Sequence, residues 1–156
     1  MKILSLAALT SLMLLAQPPR PSCNHCSASY IGAGELQAYL TRAPAQAAAT
    51  GVSDQQVRAV DIGKSNVDIG VVYRGKLTGQ SPVAEHDFVS EVYHIMDGEA
   101  TLVTGADIEG LERRPSTNNN VRNLNGPGSN GTSIRNGVTH TLKPGDVIII
   151  PAGVGH

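Results

Sequence analysis

Apolar and polar positions follow two different periods along the chain. In residues 33–43, AGELQAYLTRA, Leu36, Tyr39 and Leu40 stand at the i, i+3, i+4 spacing of one helix face. Residues 44–56 lose that period at Pro44 and Gly51 and are expected to be a loop or a fraying helix end. From residue 57 the period becomes two. VRAVDI (57–62) is the first expected strand, and VDIGVVYRG (67–75) the second, with Val67, Ile69, Val71 and Tyr73 alternating. An extended stretch at 82–89 follows, then EVYHIM (91–96), the turn dipeptide Asp97-Gly98 and a returning strand at 100–104. Strands at 138–142 and 146–150 are joined by Lys143-Pro144-Gly145. Between 105 and 137 no period holds. A structureless segment of that length in a compact domain is expected to be functional or disordered. Strands of this number and shortness predict an all-β fold preceded by one short helix.

The N-terminus adds a processing signal to this picture. Lys2 is followed by an uncharged, mostly apolar run from Ile3 to Ala16, which Gln17-Pro18-Pro19-Arg20-Pro21 ends. A bilayer-spanning helix needs about 20 residues, so the run fits the apolar region of a secretory signal. Cleavage is expected after Ala16, with Ala28 the alternative, and a buried N-terminal helix is the plainer reading. The domain plan is then a signal peptide at 1–16, a tail and helix at 17–56 and a β domain at 57–156. The location is secreted or periplasmic. Cys23 and Cys26, in Cys-Asn-His-Cys, have no second cysteine pair to complete a zinc site and no strand-to-helix context for a redox motif; a local disulfide or an unimportant tail is expected. Asn130-Gly131-Thr132 fits a glycosylation acceptor, a common chance triplet.

Charge excludes one class of partner. The net charge is −1 and Arg113-Arg114 is the one adjacent basic pair, so the clustered Lys/Arg of a nucleic-acid binder is lacking. Nor does a cysteine directly follow the apolar run to suggest a lipid anchor.

The last twelve residues, GDVIIIPAGVGH, carry a spaced pattern: Gly145, Pro151, Gly153 and His156. A turn at Gly145 starts a buried strand, and Pro151 with Gly153 then swings the chain so that His156 points inward. This resembles the second motif of the cupin superfamily. EHDFVSEVYHIMDG resembles the first, through His86, Glu91 and Gly98, with Ala84 where the family has its leading histidine and Gly79 one residue late. The likeness covers about residues 57–156. It implies a double-stranded β-helix (jelly-roll) barrel. Because cupin chains continue past the second-motif histidine, it also implies a chain cut short, with the last strands missing.

Family metal sites use three histidines and one glutamate, so the resemblance implies His86, Glu91 and His156 as ligands here. Two imidazoles and a carboxylate suit a divalent Fe, Mn, Zn, Ni or Cu ion with open positions. The plainer alternative is a barrel without metal. Strand parity puts Glu91 and Tyr93 on one face and His94 on the other. Glu85 should likewise point away from His86. His140 is read as structural, His25 has no role, and Tyr73, Tyr93 and Arg74 are candidates to line a pocket. Three functions follow: a metal-dependent oxygenase, isomerase or lyase acting on a small molecule, a small-molecule-binding module without turnover, or a dry scaffold. Cupins often pair through sheet contacts, so a homodimer is one expected form.

Overall fold

The computed structural model describes residue 23 and residues 26–76, 79 and 81–156. The apolar run ending at Ala16, its cleavage point at Ala16 and His25 lie outside the described residues. Cys23 and Cys26 are joined in a disulfide across a Cα separation of 5.7 Å. Among the described residues, no helix is long and apolar enough to cross a membrane.

Strands dominate. The helix α1 (Ala33–Ala47) leads into a hairpin of β1 (Val52–Asp61) and β2 (Asn66–Arg74). Nine short strands and one short helix follow: β3 (Val83–His86), β4 (Glu91–His94), β5 (Ala100–Thr104), β6 (Ile108–Glu109), β7 (Glu112–Arg113), α2 (Asn119–Asn123), β8 (Gly128–Gly131), β9 (Ser133–Ile134), β10 (Val138–Leu142) and β11 (Val147–Ile150). All the pairings are antiparallel, and the described sheets do not close into one continuous barrel.

The helix runs past Pro44, beyond the expected loop boundary, and buries Ala43 and Ala47. β1 starts at Val52, five residues before the expected strand, because Val52 to Gln55 pair with Arg74 to Val71. Gln55 ties this end of the hairpin to the helix: its amide donates to the Tyr39 carbonyl and accepts from Arg42 Nε at 2.7 Å. Polar contacts of that kind leave no apolar period for a sequence reading to find. The alternation expected in β2 holds only in part. Val71 is buried, whereas Val67 and Ile69 are exposed near the hairpin tip.

A second correction concerns the Asp97-Gly98 turn. The turn exists, with Gly98 at φ 78 and its N–H donating to Asp97 Oδ1. The strands on either side of it do not pair with each other. β4 pairs with β11 and β5 with β10. Likewise β6 pairs with β9 and β7 with β8. The outgoing limb β4–β7 therefore meets the returning limb β8–β11 in mirror order, as one long ribbon. Its register is continuous over the three pairs nearest the tip and slips by one residue at β4·β11. The slip lies at Ile95, whose N–H donates to Asp146 O and whose carbonyl accepts from Gly145 N, the two-against-one pattern of a β-bulge. The ribbon curls so that β8 also pairs with β3. The expectation of an irregular 105–137 segment is thereby overturned, since it holds β6, β7, α2, β8 and β9. Two-residue strands are too short to show a period of two.

One face of β4·β11 supplies the core and the other faces out. Ile150 is 2% exposed, while Ile149 is 68% exposed and Val92 65%. Ile150→Ala is expected to cost about 2–5 kcal/mol of stability, and Ile149→Ala under about 0.5 kcal/mol. Urea unfolding midpoints of the two variants check this; equal losses would mean that the two faces are not distinguished.

Candidate metal centre

His86 closes β3, Glu91 opens β4, and His156 stands just beyond β11. Local turns bring these distant positions together. Gly153, at φ 79, sits where the chain reverses after Pro151, and its N–H donates to the His86 carbonyl at 2.8 Å. The chain then runs between two partners. Gly155 exchanges backbone hydrogen bonds with Gly105, and His156 exchanges them with Ala84, each at 2.9–3.0 Å. Gly155 has to be glycine, because a Cβ there would lie 2.7 Å from Ile108 Cγ1. Ala84, which stands where the family motif has a histidine, thus positions His156 through its backbone.

The three side chains converge as expected. Their ligand atoms lie within 4.8 Å of one another, so the group can hold a metal ion. Glu91 is the hinge: Oε2 is 3.0 Å from His156 Nε2 and Oε1 is 3.6 Å from His86 Nε2. Tyr93 donates from its hydroxyl to Glu91 Oε2 at 2.9 Å. Burial, together with the Glu91 charge and this hydrogen bond, pushes the Tyr93 hydroxyl up, so it stays a donor. Burial also pushes the Glu91 carboxyl up. The hydrogen bonds from His156 and Tyr93 and the charges of both histidines outweigh it and hold the carboxylate below its ordinary range. Asp54, on β1, is raised by desolvation first and by the Glu91 charge second, with Arg74 opposing.

The two rings differ in what their nitrogens face. Both nitrogens of His156 face acceptors, Nδ1 the Val154 carbonyl at 3.2 Å and Nε2 the Glu91 carboxylate at 3.0 Å. With no metal present, Nε2–H donates to the carboxylate. A divalent ion would take the place of that proton, and His156 would then keep its other N–H on a backbone carbonyl. This donor chemistry fits a divalent metal. His86 is 3% exposed and differently held: Nδ1 is 3.0 Å from Arg114 Nη2 and Nε2 is 3.3 Å from the Asn125 amide.

The other candidates fall outside the cluster. His94 points out from the opposite face of β4, as parity requires. Glu85 faces away from the group and accepts from Ser129 N at 3.1 Å. His140 bonds Thr104 Oγ1 at 3.1 Å. An open depression of ≈ 340 Å³ lined by His140, Leu142, Asp146 and Ile148 includes none of the three ligands. Arg114 and Asn125 were not anticipated as site residues. Both come from the 105–137 segment, where the sequence marks Arg114 only as half of the one adjacent basic pair. No protein-family model, no curated protein and no solved structure matches the chain.

Burial, reinforced by Arg114 and His156, holds the His86 ring below its ordinary 6.5, against the opposing charges of Glu91 and Asp87. In the unfolded chain His86 takes up its proton near 6.5, while the folded ring waits for lower pH. Acid in that window therefore favours the unfolded chain. The Glu91 carboxyl acts in the same direction just below its ordinary 4.5. Asp54 opposes the trend only around its own range, above 3.8. With a chelator present, the urea midpoint is expected to fall as pH goes from about 7 to about 4. In His86→Ala the decline just below 6.5 should be gone. A midpoint that rises with acid would contradict this account.

Proposed function

We propose that the chain is a secreted or periplasmic cupin-type jelly roll that binds a divalent metal ion and a small molecule. The convergence of His86, Glu91 and His156 within 4.8 Å carries the reading. Two further observations support it. His156 presents Nε2 toward Glu91 with Nδ1 beside a backbone carbonyl, and the nested strand pairing is compatible with a jelly roll. Three protein ligands leave positions open on the ion, and a metal so held can polarise a substrate oxygen or activate water or dioxygen. That chemistry suits an oxygenase, isomerase or lyase, or a binding module without turnover. Tyr93 keeps its proton and fixes Glu91, so the carboxylate stays ionised and oriented.

A second reading is a metal-free ligand-binding or scaffold barrel. The Arg114 contact on His86 favours it, because the guanidinium occupies one of the ring's two nitrogens. Elemental analysis separates the two. About one metal ion per chain is expected after reconstitution, and none in His86→Ala or Glu91→Gln. A metal-free wild-type protein under the same conditions would sink the metal reading.

A further inference from the structure

We propose that Arg114 is a positioning residue that holds His86 as its Nε2–H tautomer and thereby limits how readily His86 joins Glu91 and His156 around a divalent cation. The cation is that of the proposed function, on which this half of the inference rests; the tautomer stands on hydrogen-bond geometry alone.

Arg114 follows β7, and its N–H continues the β7·β8 ladder onto the Gly128 carbonyl at 3.0 Å. Gly128 in turn pairs with His86 across β8 and β3. To reach His86, the Arg114 side chain must cross β8. It does so over Gly128, where a Cβ would lie 2.1 Å from Nη2. There Nη2 sits 2.5 Å from the Glu85 carbonyl and 3.0 Å from His86 Nδ1. Its two hydrogens meet two acceptors. A guanidinium only donates and does not lose its proton in a protein, so Nδ1 must offer its lone pair.

A neutral imidazole has one lone pair and one N–H on its ring nitrogens. With Nδ1 accepting, Nε2 carries the proton and cannot bind a metal. The Asn125 amide nitrogen, 3.3 Å from Nε2, by itself favours the other arrangement. The charged donor at 3.0 Å prevails over this neutral one, and the Asn125 amide has to turn its oxygen to the ring to match. His156 shows the contrast, with Nδ1 beside a carbonyl that can only accept, so that Nε2 can turn from its proton to a metal ion. A metal ion drawing on all three residues must displace Arg114 from His86. Arg114 is 8% exposed and among the described residues its Nε has no hydrogen-bond partner, so the arrangement to be displaced is itself incompletely satisfied.

Nitrogen-15 NMR of the metal-free wild-type protein, with His86 assigned against His86→Ala, reads the tautomer directly. The Nε2–H form is expected, and an Nδ1–H ring would overturn the proposal. Zinc titrations of wild type, Arg114→Gln, Arg114→Met and His86→Ala supply the second measurement. Glutamine brings an acceptor for Nδ1–H, as outer-shell partners of metal-bound histidine do, and about 10- to 100-fold tighter zinc binding is expected. Methionine removes the donor without supplying an acceptor, so its gain should be smaller but in the same direction. If wild type binds zinc through His86 and neither variant binds tighter, the proposal fails and the metal reading stands. If no protein binds zinc, the metal reading fails and the limiting role of Arg114 goes with it.

Discussion

Each strand of the outgoing limb β4–β7 finds its partner in the returning limb β8–β11 in mirror order, and this single long ribbon sets where everything else can be. Antiparallel pairing fixes which side chains share a face, and a slip of one residue would turn every side chain over. The chain makes such a slip once, at Ile95, where a bulge and two glycine turns absorb it. On the β4·β11 side of that bulge, Glu91 and Tyr93 point toward the histidines and Val92 and His94 point away. The tip of the ribbon, with α2, curls back onto β3. That return is what brings Arg114 and Asn125 against His86.

The centre that results is built from two histidines held in opposite ways. A backbone carbonyl lies against one nitrogen of His156, and the other faces the carboxylate. A buried cation holds His86 by the nitrogen away from the carboxylate. Glu91 lies between them, kept ionised by the hydrogen bonds it receives although burial works against it. Asymmetry of this kind separates a ligand that is ready from one that has to be released, within a group of only three side chains.

How much of this was legible in the sequence depended on the length scale of each signal. The helix face at Leu36 and Leu40, the strands at 100–104, 138–142 and 147–150, and the turns at Gly98, Gly145 and Gly153 all announce themselves within a few residues. The parity of Glu91, Tyr93 and His94 followed from strand geometry. Partner choice did not, because the Asp97-Gly98 turn has the local chemistry of a hairpin while its strands pair elsewhere. The 105–137 segment was opaque for a related reason. Its strands are held by backbone bonds and by ion pairs such as Arg113 with Asp87 and Arg135 with Asp107, which impose no apolar alternation. Arg114 was hidden within it. Its reach to His86 depends on Gly128 leaving room, a relation between residues on different strands.

A ribbon paired in mirror order also has a natural order of assembly. Contacts near the tip, such as Arg113 with Ser129, close short loops, whereas Glu91 with Ile150 closes almost the whole ribbon. Loop-closure entropy grows with the length enclosed, so zipping from β7·β8 toward β4·β11 meets the smaller cost first. Glu91 lies at the mouth of this zipper and His156 past it, while His86 sits on β3 against β8, so the three candidate ligands come within reach of one another only when the last teeth engage. Arg114 and its partner strand β8 belong to the end that encloses the shorter loops. Loop entropy by itself thus favours completing the strand pair that leads to the arginine before the carboxylate and second imidazole close around His86.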